Sequence, residues 1–478
     1  MNRLLTATVW LGILAAFHTS SLAQCPSPVG EQRTLVLLAN FVDESSEPFP
    51  REAISEIVLN ASNPDSVNAY IQEVSYGNAW VTGAVLDWVT VPVNAADCGS
   101  YFDVATIGNL LDLSGAPGGA GSYGRFVIVH PLNEGGASCP QGSTSTLGPL
   151  PLSTSEGPVC ASLMRVAVSA SSLLETTHAR TLVHELGHSL GVSHAQDLEC
   201  ARRSVGDVPQ VCEVSSAGRD RYDIMGQVGL RGHYNAIFKE ALGWIEPGAV
   251  RTVGVLPSSV AIDPLEVPTT GVHAVRVPAV YELDGERAST HYYVTYRQAI
   301  GEDAIFSELA DPTTGVMIRL NSTGPGLAME SALVDTTPNK ASATLAQLDD
   351  SADVSLSLGE TYADRRHGLS ISFSDVAAGS AVVTVDSLSS SAARLAKCKD
   401  AKARAAGRRA FDLLQAFARN RSNPNAARLG AHVARAQAAF TKSFSQAEPG
   451  GCRTIGDAGG IGAKVDALVA DVLQSASP

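Results

Sequence analysis

The sequence predicts a chain of three parts: an α/β domain whose twisted mixed sheet backs a histidine-bearing helix, an all-β sandwich domain, and a small disulfide-stapled α-helical tail. Three observations predict it. Buried-strand runs such as "TLVLLANF" and "YGRFVIVHP" alternate with helical patterns up to about residue 246. Short β-rich segments separated by Gly, Pro and Asp turns follow over residues 247–387. From residue 388 to residue 478 alanine, arginine and a helical period take over.

Residues 1–23 stand apart from these parts. Arg3, an apolar run from Leu4 to Phe17 and the ending Ser21-Leu22-Ala23 have the pattern of a secretory signal peptide with a small-x-small cleavage site. The run is shorter than the ~20 residues that cross a bilayer, so no membrane anchor is expected. Export fits the cysteine usage. Eight cysteines, at positions 25, 98, 139, 160, 200, 212, 398 and 452, are an even number and suggest up to four disulfides. Nearest-neighbour pairing gives Cys25–Cys98, Cys139–Cys160, Cys200–Cys212 and Cys398–Cys452, although spacing alone cannot fix connectivity. Parity favours a disulfide for Cys25 over a role as a metal-blocking thiol.

Within residues 24–246, "REAISEIVLNASNPDSVNAYIQEVSYGN" reads as helix interrupted by turn residues, and "WVTGAVLDWVTVPV" as strand. "NEGGASCPQGSTSTLGPLPLSTSEGP" reads as a long surface loop pinned by Cys139 and Cys160. In "LLETTHARTLVHELGHSLGV", Leu182, Val183, Leu186 and Leu190 recur at helical spacing, so the histidines there lie on a helix. In the tail, Phe411, Leu414 and Phe417 form one apolar stripe, Val433, Phe440 and Phe444 a second, and Val465, Leu468, Val469 and Val472 a third. A helical module this small gains from a Cys398–Cys452 staple. The net charge of −14 is divided unevenly. Residues 389–478 hold 14 Lys+Arg against 6 Asp+Glu, or +8, which leaves 20 against 42, or −22, for the remainder. The plain reading of the basic tail is a solvated face; its arginines could also grip an anionic surface polymer, and no nucleic acid is expected.

The densest chemistry is "HELGHSLGVSH", residues 184–194. Residues four apart on a helix project from nearly one side, so His184 and His188 can aim at a common metal ion. Glu185, beside the first ligand, is placed to hold a water on that metal and act as general base, then acid. If the helix ran on, His194 would stand roughly 80° and about 15 Å from His184. The helix must therefore end first, and Gly191 accepts the left-handed backbone that ends it. Chance yields the whole pattern on the order of once in tens of thousands of chains. The three histidines are the metal ligands expected here, with Zn2+ as the ion. Gly187, inside the helix, clears space for a neighbour or for substrate.

This motif, with "YDIMG" at Tyr222–Gly226, resembles the metzincin metallopeptidases, whose long zinc motif is followed by a methionine turn beneath the metal. The nearest likeness is to the gametolysin family, through "GRDRYDIMG", "HYNAIFKEALGWI", "YYVTYRQ" and "LVDTTPN". The resemblance runs from about residue 33 to residue 387 and is strongest over residues 184–245. It implies a metzincin-like catalytic domain, a zinc ion on His184, His188 and His194, catalysis by Glu185, and Met225 supporting the metal. Some relatives carry a tyrosine two residues after the methionine; Gln227 stands there in this chain. Tyr222 and Tyr234 are candidates for oxyanion stabilisation, each with the plainer reading of a packed aromatic. His178 reads as a residue of the entering turn and His233 as a structural hydrogen-bonding histidine. The expected function is a secreted zinc metalloendopeptidase acting on extracellular protein or peptide. A binding or adhesion protein with an inert protease-like domain, and a zinc exopeptidase, are the alternatives.

Overall fold

The computed structural model describes residues 25–131, 139, 143–168, 176–199, 213–214, 220–226, 232–282, 288–308, 310–322, 329–336, 354–448, 452 and 456–475. The expected signal peptide, the Cys200–Cys212 pair and Gln227 lie outside these residues.

The strand Gly30–Phe41 is central to the first sheet and pairs in parallel with Ala79–Val85, Val89–Val91 and Arg125–Pro131. Arg125–Pro131 in turn pairs in parallel with Gly157–Val168. Parallel strands are covered on both faces, which is why their sequences are continuous apolar runs. Alternate residues serve opposite faces. Val36 and Leu38 pack with Leu182, Val183 and Leu186 of the histidine helix. Leu35 and Leu37 pack with Leu110 and Leu111 of the helix Ile107–Ser114 on the other side.

The stretch expected as a surface loop contains two strands. Thr144–Ser145 and Leu150–Thr154 both pair antiparallel with Gly157–Val168. Leu152 is fully buried, and Gly157, at φ 114°, turns the chain back. Five residues alternating about one buried leucine are enough for an edge strand, and the Gly/Ser/Pro composition masked them.

A second, eight-stranded sheet runs in the order Val250–Thr252, Ala274–Glu282, Ala288–Tyr296, Gly315–Ser322, Met329–Val334, Val192–Glu199, Glu213–Val214, with Leu356–Ser357 beside Gly315–Ser322. Its parallel pair Met329–Val334 with Val192–Glu199 carries it across residue 246. The apolar core crosses there too: Leu265, Ala274 and Tyr293 share a cluster with Leu182 and Trp244. An antiparallel sheet of Ser258–Ile262, Ser380–Ser387, Leu369–Ala377 and Thr361–Asp364 shares one apolar cluster with the larger sheet.

The tail forms the helices Leu388–Ser422, Ala426–Ala447 and Ala458–Ser475, joined by the expected disulfide Cys398–Cys452. Two stripes need correction. Phe411 is 59% exposed, and of the third stripe Val465 and Val469 are buried while Leu468 and Val472 are exposed. In a three-helix arrangement each helix buries only the arc that meets its two neighbours, and that arc is narrower than the stripes.

Two nearest-neighbour pairings are also corrected. Cys25 pairs with Cys160, and Cys98 with Cys139. Parallel pairing explains the first: Pro26 packs on Gly124, the residue before Arg125, whose register partner is Ser162. Residue 25 thus lies beside the start of the strand Gly157–Val168, which carries Cys160. Cys25 is disulfide-bonded, as parity indicated. Among the described residues no helix is long and apolar enough to cross a membrane.

Candidate metal centre

The histidine helix spans Thr176–Leu190. Leu182, Val183, Leu186 and Leu190 bury one side of it against Met164, Val166 and Val168 of the neighbouring strand. Its end is where the spacing required. Gly191 has φ 112° and donates its N–H to the His188 carbonyl at 2.9 Å, after which Val192–Glu199 leaves as a strand. His194 is the third residue of that strand. Arg125, buried in the first sheet, closes the helix from below: its Nη1 donates to the Ser189 carbonyl at 2.7 Å and to Ser189 Oγ at 3.0 Å.

His184, His188 and His194 bring one nitrogen each to within 4.8 Å of one another. His188 Nε2 and His194 Nε2 are 3.3 Å apart. Two nitrogens bound tetrahedrally to one ion at about 2.0–2.1 Å stand about 3.3 Å apart, so this pair is spaced to share a metal ion. The remaining ring nitrogens fix the tautomers. His184 Nδ1 donates to the Ile224 carbonyl at 2.8 Å, and His188 Nδ1 to the Val192 carbonyl at 2.9 Å. A carbonyl can only accept, so both Nδ1 atoms carry the proton and both Nε2 atoms offer a lone pair. Burial pushes the His184 imidazole down to about 3 and His188 down to about 4, and lowers His194 as well. All three stay neutral, as ligation needs.

Glu185 is buried beside the triad, and burial raises its carboxyl to about 7. Among the described residues its Oε2 has no hydrogen-bond partner. An orphaned carboxylate oxygen next to three converging lone pairs fits a divalent cation and the water it activates. The group opens into a cavity of about 480 Å3, lined in part by Ser143, Thr144, Ser145, Leu147 and Arg180.

The turn Asp220–Gly226 is tied to the histidine cluster. Its Ile224 carbonyl holds His184, and its Met225 carbonyl accepts from the Ala195 N–H at 3.1 Å, next to His194. Met225 itself is fully buried in the same apolar cluster as Leu186. Asp223 holds the turn, its Oδ1 accepting from the Met225 N–H at 2.7 Å and its Oδ2 from the Asn235 N–H at 2.6 Å. Arg319 Nε donates to Asp220 Oδ2 at 2.7 Å, and Arg297 caps the Tyr222 carbonyl.

The other expected residues separate clearly. Tyr234 is buried and donates its hydroxyl to the Val183 carbonyl at 3.0 Å; Tyr222 packs with Phe306, Met317, Leu333 and Val354. Neither lines the cavity. His233 is the structural residue expected, bridging Glu73 Oε1 at 3.1 Å and Lys239 Nζ at 2.9 Å. His178 falls in the first turn of the helix, and its side chain lies outside the described residues. Arg125, Arg180, Asp223, Arg297 and Arg319 were not singled out from sequence. Only Arg180 had a legible signal there, standing one helical turn before His184.

Fold and site define a mixed α/β protein with a three-histidine centre able to hold a metal ion. Neither a protein-family model nor a curated protein sequence matches the chain.

Proposed function

We propose that this chain is a secreted zinc metalloendopeptidase of the metzincin type, nearest to the gametolysin family. The observation that carries the reading is the convergence of the His184, His188 and His194 lone pairs beside the unpartnered Oε2 of Glu185, at the floor of an open cavity. Zinc held by these residues supplies a Lewis acid that polarises a carbonyl and lowers the pKa of water towards neutrality. Glu185 Oε2 takes the proton of the attacking water and returns it to the leaving amine. Burial supports this role, because a carboxyl set in a poorly solvated pocket is held less firmly in its charged form and can both take up and give back a proton. Substrate orientation follows from the strand Thr144–Ser145. It ends its sheet and lines the cavity, so an extended peptide can add to its outer edge by backbone hydrogen bonds. An edge that accepts extended chain favours cleavage within a polypeptide over trimming of its ends. The disulfides Cys25–Cys160, Cys98–Cys139 and Cys398–Cys452 fit export to an oxidising compartment.

The test compares cleavage of a protein substrate by wild type and by Glu185→Ala, with and without chelator, and identifies the products by mass. Internal fragments from wild type, abolished by chelator and reduced about 100-fold or more in Glu185→Ala, are expected. Equal cleavage by both proteins removes the mechanism. Release of single residues makes the enzyme an exopeptidase, and absence of cleavage by zinc-loaded wild type leaves the binding-protein reading.

A further inference from the structure

We infer that the exposed face of the helix Ala426–Ala447 binds a linear acidic polysaccharide through Arg428, Arg435 and Lys442, and so fastens the protein to an anionic surface coat. The inference stands apart from the peptidase reading and does not depend on it.

Four of the six acidic residues of the tail are paired: Glu448 and Asp457 with Lys402, Asp466 with Arg409, and Asp400 with Arg404. The pairs of Lys402 and Arg409 join the helix Leu388–Ser422 to the segments that follow it. The remaining charge is separated by sign along the chain. Residues 413–447 hold Arg419, Arg421, Arg428, Arg435 and Lys442 and no Asp or Glu. Among the described residues no carboxylate pairs with Arg428, Arg435 or Lys442. Arg435 Nη2 meets His432 Nδ1 at 3.0 Å, an imidazole rather than an acid. A face kept only for solubility mixes both signs; this one does not.

Seven residues turn a helix by about 700°, about 20° short of two full turns, so Arg428, Arg435 and Lys442 stand in one row about 10.5 Å apart along the axis. All three are exposed, and Ala436, Phe440 and Phe444 bury the other side of the helix. Arg428 lies in the first turn, where its N–H donates to Asn425 Oδ1 at 2.8 Å and no acidic residue is present. A cation there opposes the helix dipole, so helix stability does not account for it. A row of fixed cations along one axis matches an anion whose charges repeat along one axis. The same face decides against two other partners. A helix that lies in a bilayer needs large apolar side chains beside its cations. The exposed large apolar residues of the tail, Phe411, Leu468 and Val472, belong to the other two helices. Single-stranded nucleic acid is gripped by stacking on exposed aromatic rings, and both rings of this helix, Phe440 and Phe444, are buried. The remainder of the chain, at −22, repels a polyanion and confines the contact to the tail.

The experiment measures binding of the full-length protein to fluorescein-labelled heparin by fluorescence anisotropy, between about 50 and 200 mM salt. Wild type is expected to bind, and to weaken steeply as salt rises, because binding releases counterions from the polyanion. Arg428→Gln, Arg435→Gln and Lys442→Gln together should weaken binding at least about tenfold and lower the slope of log Kd against log salt by roughly one for each cation removed. Arg428→Lys with Arg435→Lys should keep most of the affinity, since what is recognised is charge in a row. The same replacement by Gln of three exposed cations of the body, Arg33, Arg51 and Arg251, should change little. No binding to heparin at the lowest salt, an affinity untouched in the tail variant, or equal losses in the tail and body variants overturns the inference. Tighter binding to phosphatidylglycerol vesicles or to single-stranded DNA than to heparin, removed by the same tail variant, overturns it in favour of a bilayer or a nucleic acid.

Discussion

A Cβ built on Gly187 would lie 2.3 Å from Met225 Sδ and 2.9 Å from Tyr234 Oη, so the helix and the turn beneath it meet only because residue 187 has no side chain. The contact sits between two histidines of the cluster, one residue before His188 and three after His184. Alanine at this position gains up to about 1 kcal/mol of helix propensity. Overpacking a closed core costs about 1–3 kcal/mol. Met225 is fully buried and Tyr234 is held by Val183, so neither yields easily. Gly187→Ala should therefore lower stability by about 1–2 kcal/mol net and weaken zinc binding. Denaturant unfolding with a competitive zinc titration checks both, and an unchanged affinity would show that Met225 can give way.

Gly191 answers a different requirement. Nothing lies within 4 Å of a Cβ placed there, but its φ of 112° is a conformation that L residues rarely adopt. Gly191→Val should therefore cost about 1–3 kcal/mol through backbone strain alone. The helix end carries two hydrogen bonds of His188, at its carbonyl and its Nδ1, so relaxation of the turn moves a ligand. Zinc affinity is expected to fall with all three histidines intact. Retained affinity alongside lost stability would show that the strand Val192–Glu199 holds His194 without the turn.

How much of this was legible in the sequence depends on how local each constraint is. Offsets of zero, four and ten among His184, His188 and His194 specify a helix that stops, and Gly191 supplies the stop; both are local and both were readable. Gly187 was readable as a need for space, yet Met225 as its occupant was not, because 38 positions separate them. The pairings Cys25–Cys160 and Cys98–Cys139 depend on the order of parallel strands, which spacing does not encode. The strand Val192–Glu199 was missed because its hydrogen-bonding partner, Met329–Val334, lies more than a hundred residues away. Arg297 and Arg319 stayed hidden for the same reason: the Tyr222 carbonyl and the Asp220 carboxylate that they meet lie 75 and 99 positions away.

Lys239 gives a pH prediction away from the metal. It is fully buried, with Nζ 2.9 Å from Tyr76 Oη, 2.9 Å from His233 Nδ1 and 3.2 Å from the Leu265 carbonyl. Burial pulls it from 10.5 down to about 7, against the opposing charges of Glu266, Asp303 and Glu73. A cation whose folded value is depressed is held by the unfolded chain but not by the folded one between about pH 7 and 10.5. The unfolded state binds more protons there, so this group makes stability rise with pH across that window. The slope is about 1.4 kcal/mol per pH unit at most. In Lys239→Met the contribution should vanish. Urea unfolding of both proteins from pH 7 to pH 10 in chelator checks it; parallel stability curves would mean that Lys239 keeps its proton when folded.

The buried pair Arg319–Asp220 tests whether the metal centre depends on the β region that follows it. Arg319 lies on Gly315–Ser322, both side chains are almost wholly buried, and Asp220 Oδ1 also receives the Tyr222 N–H at 3.0 Å. Removing one member of such a pair leaves an uncompensated charge and costs about 3–5 kcal/mol. Arg319→Met should destabilise by that amount and lower zinc occupancy, since Asp220 begins the turn whose carbonyls hold His184 and the strand of His194. Adding Asp220→Asn removes the stranded charge and should restore part of the stability. A chain ending at residue 246 goes further, losing Arg297, Arg319 and the strand Met329–Val334 that pairs with Val192–Glu199. It is expected to lack stoichiometric zinc, as measured by metal analysis of the purified fragment. A soluble fragment with one tightly held zinc ion would show that residues up to 246 form the centre alone, and that the shared sheet serves some purpose other than holding His194.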